Sequence, residues 1–332
     1  MSKFTIRRCL SGDLSSLVGF FRRMKAAYDV NFLPQDKDAF LEKYYWPDAE
    51  EKFNYYLLHN RDGAIVGGTG YVPFKGLFCR KPLSGFVATD SIIDPAWRRK
   101  LPGLVPLFAR TYERMVRGEK LFPLACPASE TVAESFKRVR WSQFTWIYKL
   151  YSPVVARVTP HLAAAGLCIE RIECFDKSFE EFFKMIASDY DFLMHADREF
   201  LNQKYCGNTR GPYVILAAHM KRKLSGYLVC LIRDCDIEIV DVTIDIRLPH
   251  LILFLMYAAF SYCPRRDIAI TTCYVSNKRY FEILRSMGFS CCWEVECLFF
   301  KPVALFHPGF AAAMEQSDMS TYHCNGFTQQ AY

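Results

Sequence analysis

The sequence predicts an α/β protein built from two similar domains in tandem, each with a mostly antiparallel central sheet flanked by helices. Two observations predict this fold class. The chain has 332 residues, of which 51% are hydrophobic, enough to bury two ordinary cores at roughly 150 residues per domain. The two halves also pass through the same order of elements, and such a repeat indicates a duplicated fold.

The first half begins with a strand and an amphipathic helix. Asp13 is placed to cap that helix, because Leu14, Leu17, Phe21 and Met24 then recur at helical spacing. The later elements follow from apolar runs separated by turn residues such as Asn60–Gly63. They are a hairpin of Tyr55–Leu58 and Ala64–Val72, a fourth strand Gly85–Ile93, a helix Leu104–Met115, a fifth strand Leu121–Cys126 and a short helix within Ala128–Trp141.

The second half repeats this order. Ile169–Cys174 is the predicted strand, and Asp176 or Ser178 caps the helix that follows. The remaining elements are a hairpin of Tyr213–Ala218 and Gly226–Ile232, a fourth strand Ile237–Ile244, a helix Leu251–Tyr262, a fifth strand Asp267–Tyr274 and a short helix within Ser276–Phe289. We therefore predict domains at 1–151 and 167–302, joined by a linker at 152–166 and followed by a C-terminal extension at 303–332.

Composition narrows the class of protein. The 14 cysteines are scattered without a C-x-x-C pair, so we expect no metal site and reduced thiols. The longest apolar run, Leu251–Phe260, is shorter than the about 20 residues of a membrane span. No signal peptide is evident, and we expect a cytoplasmic protein. The net charge of +7 suits an anionic cofactor and is weak evidence for nucleic acid.

A strand, a basic loop and a helix follow one another in Gly85–Met115. Arg98, Arg99 and Lys100 lie in the loop, and Gly103 permits close approach of a ligand to the backbone. A helix N-terminus with basic residues beside it attracts phosphates. The loop resembles the acyl-CoA-binding segment of the GNAT superfamily of N-acetyltransferases, with Ile92-Ile93-Asp94-Pro95 at the strand end. Leu101 and Pro102 depart from that pattern, and a solvated basic corner is the alternative reading.

The resemblance to tandem GNAT proteins extends over residues 4–302. It includes Asn277 followed by Gly288-Phe289, while the first half has Arg140-Trp141 where Gly-Phe would be. What the resemblance implies is a gap between the fourth and fifth strands that binds the thioester, with the Ile92 N–H near its carbonyl. The residues implied to contact acyl-CoA are Ile92, Ile93, Arg98, Arg99, Lys100, Gly103 and Leu104.

Catalytic residues are implied in the same way. Asp90, a carboxylate in a mostly apolar strand, is the candidate base, and orienting a neighbouring loop is its alternative role. The tyrosine acid of the family would fall at Phe136 or Leu284, so neither half has it. Ser135, Tyr148 or water are left as candidate acids. In the second half, Asp197, Arg198, Lys204 and Asp241 are candidate contacts to the acceptor. A salt-bridged helix surface is the alternative for the first three, and pairing with a buried arginine is the alternative for Asp241.

The function expected from this resemblance is transfer of an acyl group from acetyl-CoA or a longer acyl-CoA to the amine of a small metabolite, an amino sugar or amino acid. Two alternatives stay open. One is a Fem-type transferase that takes an aminoacyl group from tRNA, which salt-sensitive tRNA binding would reveal. The other is a non-catalytic protein of this fold that binds a ligand and regulates.

Overall fold

The computed structural model describes seventeen stretches of the chain. They are residues 4–28, 33–44, 52–78, 81–98, 101, 107–109, 111–113, 121–125, 130–154, 166–190, 192–195, 198–206, 213–233, 236–262, 269–275, 277–300 and 321–322. The strands are β1 (Phe4–Leu10), β2 (Lys52–Asn60), β3 (Ile65–Phe78), β4 (Lys81–Ile93), β5 (Phe122–Ala125), β6 (Ser142–Val154), β7 (Leu167–Ile172), β8 (Phe192–His195), β9 (Tyr213–Met220), β10 (Lys223–Arg233), β11 (Asp236–Ile244), β12 (Ala269–Val275), β13 (Ser290–Phe300) and β14 (Thr321–Tyr322). The helices are α1 (Leu14–Tyr28), α2 (Lys37–Tyr44), α3 (Pro95–Arg98), α4 (Glu130–Arg138), α5 (Lys177–Ile186), α6 (Arg198–Leu201), α7 (Leu251–Phe260) and α8 (Lys278–Ser286).

The strands form one continuous hydrogen-bonded sheet. Its order is β1-β2-β3-β4-β5-β13-β6-β12-β11-β10-β9-β7, and β8 joins β3 to β14 outside this path. Most neighbours are antiparallel, whereas β4 with β5 and β11 with β12 are parallel. The predicted fold class, mixed α/β with mostly antiparallel sheets in two similar halves, is confirmed.

The last strands of the two halves are exchanged. β13, which ends the second half, pairs with β5 and β6 of the first half, and β6 pairs with β12. Exchange covers the sheet edges that β5 and β12 would otherwise leave open. β6 also extends to Val154, into the predicted linker. Sequence analysis did not predict β6, because the pairing that fixes it joins residues far apart in the chain.

Local signals predicted most of the other elements. Asp176 accepts a hydrogen bond from the Ser178 N–H at the start of α5, and Asn277 accepts from two backbone N–H groups of α8. Residues 107–109 and 111–113 are helical, as predicted for that part of Leu104–Met115. Sequence analysis missed α2 and β8, and it placed a loop where α3 forms one helical turn.

The ends of α4 and α8 match in backbone conformation. Gly288 has φ +90°, as expected for a glycine that ends a helix, and Arg140 occupies the same place in the first half with φ +61°. The Trp141 N–H bonds the carbonyl of Phe136, and the Phe289 N–H bonds that of Leu284. Arg140 therefore adopts the conformation of the glycine that it replaces.

A shared core joins the halves. Val87 and Phe122 of the first half belong to the same buried cluster as Phe175, Phe192 and Tyr227 of the second. Such a contact makes large independent movements of the halves costly, since apolar burial is worth about 25 cal/mol per Å². Among the described helices, none is both long and apolar enough to cross a membrane.

Candidate active site

A gap opens in the first half where β4 and β5 part. The two strands pair from Gly85 to Ala88, and the last pair is Ala88 with Ala125. β4 continues to Ile93 along β3, with a bulge that sets Asp90 and Ser91 against Thr69 alone. Asp90 has φ +45°, which a bulge tolerates and a regular strand does not. The bulge therefore lies beside the gap.

Asp90 is buried and held by hydroxyl groups. Its carboxylate accepts hydrogen bonds from Tyr44 at the end of α2 and from Thr89, whose Oγ1 lies 3.1 Å away. The Tyr55 hydroxyl donates to the Asp90 backbone carbonyl at 3.2 Å. Burial raises the pKa of the Tyr55 phenol well above its ordinary value, and the Asp90 charge raises it further. Only 4% of Asp90 is exposed, so its carboxylate has little access to a substrate amine.

Glycines of β3 make room for the two tyrosine rings. A Cβ atom at Gly68 would lie 2.3 Å from the Tyr55 ring, and one at Gly70 would lie 2.3 Å from the Tyr44 ring. Both rings therefore pack closely against β3, and their hydroxyls reach Asp90.

The second half contains the same arrangement. The last parallel pair of β11 and β12 is Ile239 with Cys273, so Asp241 stands two residues beyond it as Asp90 stands beyond Ala88. Asp241 is 1% exposed, and it accepts hydrogen bonds from Tyr205 (3.0 Å) and Tyr227 (3.2 Å). These two tyrosine hydroxyls hold the Asp241 carboxylate.

The helices before the two hairpins supply equivalent tyrosines. Tyr44 follows Phe40-Leu41-Glu42-Lys43, and Tyr205 follows Phe200-Leu201-Asn202-Gln203-Lys204. The second segment has one residue more, and it forms a π-helix over Asn202–Cys206. A π-turn takes up one extra residue, so Tyr205 still reaches Asp241.

The backbone at the end of β4 presents an amide to the gap. The Asp94 N–H donates to the Val66 carbonyl of β3 at 2.9 Å. Because N–H groups of an antiparallel ladder alternate in direction, the Ile92 N–H also points to β3 and the Ile93 N–H points away from it. The geometry thus replaces Ile92 by Ile93 as the amide that faces the gap.

In the second half the equivalent amide is occupied. Ile244 corresponds to Ile93, and its N–H donates to the Tyr280 hydroxyl at 3.0 Å. The Tyr190 hydroxyl lies 2.8 Å from that of Tyr280, and burial raises the pKa of Tyr280 to about 12. Counted back from Gly288 and Arg140, the position of Tyr280 in the first half is Val132, which has no hydroxyl. The tyrosine that accepts the Ile244 N–H in the second gap thus has a valine at its place in the first gap.

Arg98 is positioned next to the Ile93 amide through Tyr28. The Tyr28 hydroxyl donates to the Ile93 carbonyl at 2.6 Å, and the Arg98 guanidinium lies 4.6 Å from the centre of the Tyr28 ring. Burial raises the pKa of Tyr28, and Arg98 partly opposes that shift. The Arg98 cation thus lies near the strand end whose Ile93 N–H points away from β3.

The second half has an arginine, Arg247, two residues earlier than the place of Arg98, and pairs it with carboxylates. Arg247 forms a two-pronged ion pair with Asp245 at 2.7 and 2.8 Å, and Asp189 lies 3.8 Å from the same guanidinium. Asp245 raises the pKa of Arg247. Asp245 and Asp189 thus compete with any phosphate group for the Arg247 guanidinium.

The other predicted site residues are placed as follows. Leu101, at the position of a family glycine, is buried with Phe108 and Tyr112. Arg198 pairs with Glu180 at 3.8 Å, and the Lys204 ammonium lies 5.0 Å from the centre of the Tyr205 ring. Ser135 lies on α4, and Tyr148 belongs to β6. The predicted contacts Arg99, Lys100, Gly103, Leu104 and Asp197 lie outside the described residues.

Sequence reasoning missed the residues that repeat. Asp90-Ser91-Ile92-Ile93-Asp94 and Asp241-Val242-Thr243-Ile244-Asp245 share Asp-x-x-Ile-Asp, and this signal would have aligned the two strands. Within the described part of the chain, no three His, Cys, Asp or Glu side chains are placed to hold a metal ion.

Comparisons with known proteins address the fold. No family model matches the sequence, and no curated protein matches it. Among solved structures, the GCN5-related N-acetyltransferase from Anabaena variabilis has a TM-score of 0.66 and 13% identity, covering 90% of this chain and 72% of its own. N-myristoyltransferase from Saccharomyces cerevisiae with bound myristoyl-CoA has a TM-score of 0.59 and 11% identity, and the match covers 91% of this chain and 79% of that protein. A tandem GNAT protein from the clavulanic acid biosynthesis pathway has a TM-score of 0.55 and 12% identity, and the match covers 90% of this chain and 97% of that protein. The chain therefore has the tandem GNAT fold.

Proposed function

We propose that the protein is an acyl-CoA-dependent N-acyltransferase with its acyl-CoA site in the gap between β4 and β5. The observation that carries the proposal is the difference between the two gaps. The first presents the Ile93 N–H, whereas the Tyr280 hydroxyl occupies the Ile244 N–H in the second. A backbone N–H aimed at a carbonyl oxygen stabilises the oxyanion that forms when an amine attacks a thioester.

The cofactor contacts follow from this placement. The thioester carbonyl accepts a hydrogen bond from Ile93, and the pyrophosphate lies against Arg98, with Arg99 and Lys100 as further cationic contacts. Gly103 and Leu104 at the following helix complete the proposed set. Arg98 supports this assignment because Tyr28 holds it beside Ile93, while Asp245 engages Arg247 in the second half.

Asp90 enters the proposal as the residue that fixes the bulge. Its carboxylate is buried, and Asp241 repeats its tyrosine contacts in the half whose amide is occupied. A feature shared by both halves is explained by the fold they share. The acceptor amine then loses its proton to water, the route that needs no carboxylate at the gap.

The acceptor is proposed to be a small amine such as an amino sugar or amino acid. A non-catalytic acyl-CoA-binding protein is the second candidate, because the positions that the family resemblance gives to a tyrosine acid are the buried side chains of Phe136 and Leu284. Binding without turnover would favour that second candidate.

Calorimetry tests the proposal. We expect acetyl-CoA or myristoyl-CoA to bind with one molecule per chain, and the triple variant Arg98→Ala, Arg99→Ala, Lys100→Ala to bind at least about 10-fold more weakly, since charge-assisted hydrogen bonds are worth about 1.5–3 kcal/mol each. The matched control is Arg247→Ala, which should bind as the wild type does. Failure of both thioesters to bind would overturn the proposal.

A further inference from the structure

Three hydroxyl groups form a connected group beside the gap. Ser91 Oγ lies 2.6 Å from Thr69 Oγ1, and Thr69 Oγ1 also contacts the Tyr112 hydroxyl. Thr69 and Tyr112 are 0% and 3% exposed, while Ser91 is exposed. We call Ser91, Thr69 and Tyr112 the hydroxyl triad. Ser91 is its one member that a substrate can reach.

Ser91 is close to the amide that faces the gap. It lies in the β4 bulge, two residues before Ile93, and residues i and i+2 of a strand lie about 6.6 Å apart on the same face. A thioester held by its carbonyl at the Ile93 N–H has its sulfur one carbon away from the bound oxygen. The Ser91 hydroxyl can therefore approach the sulfur.

The second half has the same fold without the hydroxyl triad. Both halves keep the buried aspartate and its tyrosines. At the places of Thr69 and Ser91, however, the second half has the buried apolar residues Leu228 and Val242. The strand of the second half thus forms without these hydroxyls, with its own bulge one residue earlier, between Ile239 and Asp241. Among the described residues, the triad occurs only in the first half, beside the Ile93 N–H.

We infer that Ser91 is a catalytic residue which donates its hydroxyl proton to the departing sulfur of acyl-CoA, with Thr69 and Tyr112 as positioning residues. This inference rests on the proposed function. The amine nitrogen forms a bond to the carbonyl carbon, the C–S bond breaks, and the amine proton passes to water. The sulfur takes the Ser91 proton, and the triad recovers one proton from water after CoA leaves.

The buried members of the triad favour this role. Both contacts allow the Tyr112 hydroxyl to donate to Thr69 and Thr69 to donate to Ser91. In that direction the hydrogen bonds of the chain polarise one another and strengthen Ser91 as a donor. Burial raises the pKa of Tyr112 to about 12, against smaller opposing effects of Thr69 and Ser91. The triad is therefore fully protonated near neutral pH.

The test measures thiol release from acetyl-CoA with hydroxylamine as a general acceptor. We expect Ser91→Ala to lower kcat about 100-fold, as loss of a general acid does, with the KM for acetyl-CoA within about 2-fold of the wild type. Ser91→Thr, which keeps a hydroxyl, should recover most of the rate. Thr69→Val should lower kcat by a smaller factor, and the double variant should be no slower than Ser91→Ala alone because both act through one chain.

The outcomes distinguish two failures. If the wild type releases thiol and Ser91→Ala matches it, or if the two substitutions are additive, the role of Ser91 is wrong and the proposed function stands. If the wild type binds acetyl-CoA but releases no thiol with hydroxylamine or other amines, the acyltransferase proposal fails and the role of Ser91 fails with it. An equal loss for Ser91→Thr and Ser91→Ala would also overturn the inference.

Discussion

Tyr44→Phe isolates the hydrogen bond that holds the β4 bulge. The Tyr44 hydroxyl donates to Asp90, and the two residues are 1% and 4% exposed. The phenyl ring still fills its place on β3, so the substitution opens no cavity and removes only the bond. Hydrogen bonds to charged groups are worth about 1.5–3 kcal/mol. We therefore expect the free energy of unfolding to fall by about 2 kcal/mol.

Urea denaturation followed by fluorescence measures this change, and Tyr205→Phe is the matched variant of the second half. If the chain unfolds as one unit, a loss of about 2 kcal/mol lowers Tm by about 3 °C. Tyr205→Phe should cost a similar amount, because each aspartate keeps one other hydroxyl contact, Thr89 Oγ1 at 3.1 Å for Asp90 and the Tyr227 hydroxyl at 3.2 Å for Asp241. The reasoning is refuted if Tyr44→Phe is as stable as the wild type, or more stable.

Three further predictions concern stability and exchange. Tyr280→Phe should speed hydrogen exchange of the Ile244 amide, which loses its 3.0 Å partner; unchanged exchange would contradict that bond. Arg140→Gly should raise the free energy of unfolding by about 0.5–1 kcal/mol, measured by thermal or urea unfolding. The φ of +61° costs a residue with a side chain about 1–2 kcal/mol, and the larger entropy that glycine loses on folding offsets part of the relief. A loss of stability would contradict this prediction. Arg7 lowers the pKa of Asp13, so their exposed pair stabilises the fold above the unfolded pKa of about 3.9. This contribution is lost as pH falls through the lower folded pKa. Asp13→Asn should therefore lower the free energy of unfolding by about 0.5 kcal/mol at pH 7, and the difference between variant and wild type should shrink in acid.

Local patterns predicted the elements whose residues interact within the same stretch of chain. Asp176 and Asn277 cap their helices through N–H groups two or three residues away, so composition and spacing suffice to identify them. The hairpin turn at Lys221–Arg222 likewise has φ values of +49° and +66°, the conformation that joins two strands tightly. These elements follow from short-range chemistry.

Long-range pairing explains what sequence analysis missed. Tyr280 and Ile244 are 36 positions apart, and Tyr44 and Asp90 are 46 positions apart. Residues so far apart in the sequence produce no periodic pattern within one stretch of chain. Exchange of β6 and β13 has the same character, since either strand could pair within its own half by local criteria. The repeat of Asp-x-x-Ile-Asp, which sequence analysis overlooked, would have indicated where the two sites correspond.

The relative placement of some candidate site residues could be predicted, while their roles stay predictions. Asp90, Ile93 and Arg98 all lie at one end of β4, as the family resemblance implies, but burial of Asp90 follows from tyrosines that were not singled out. Ser91 escaped notice because a serine in a strand carries no signal of its own. The role proposed for it rests on its contact with Thr69, which also contacts Tyr112.

Hydrogen exchange of single backbone amides, with and without saturating acetyl-CoA, tests the central claim most directly. The claim is that the Ile93 amide, and not the Ile244 amide, receives the thioester carbonyl. We predict slower exchange at Ile93 and through the following Arg98 segment, with unchanged exchange at Ile244. Protection at Ile244 instead, or no protection at Ile93 when calorimetry shows acetyl-CoA bound, would contradict the account.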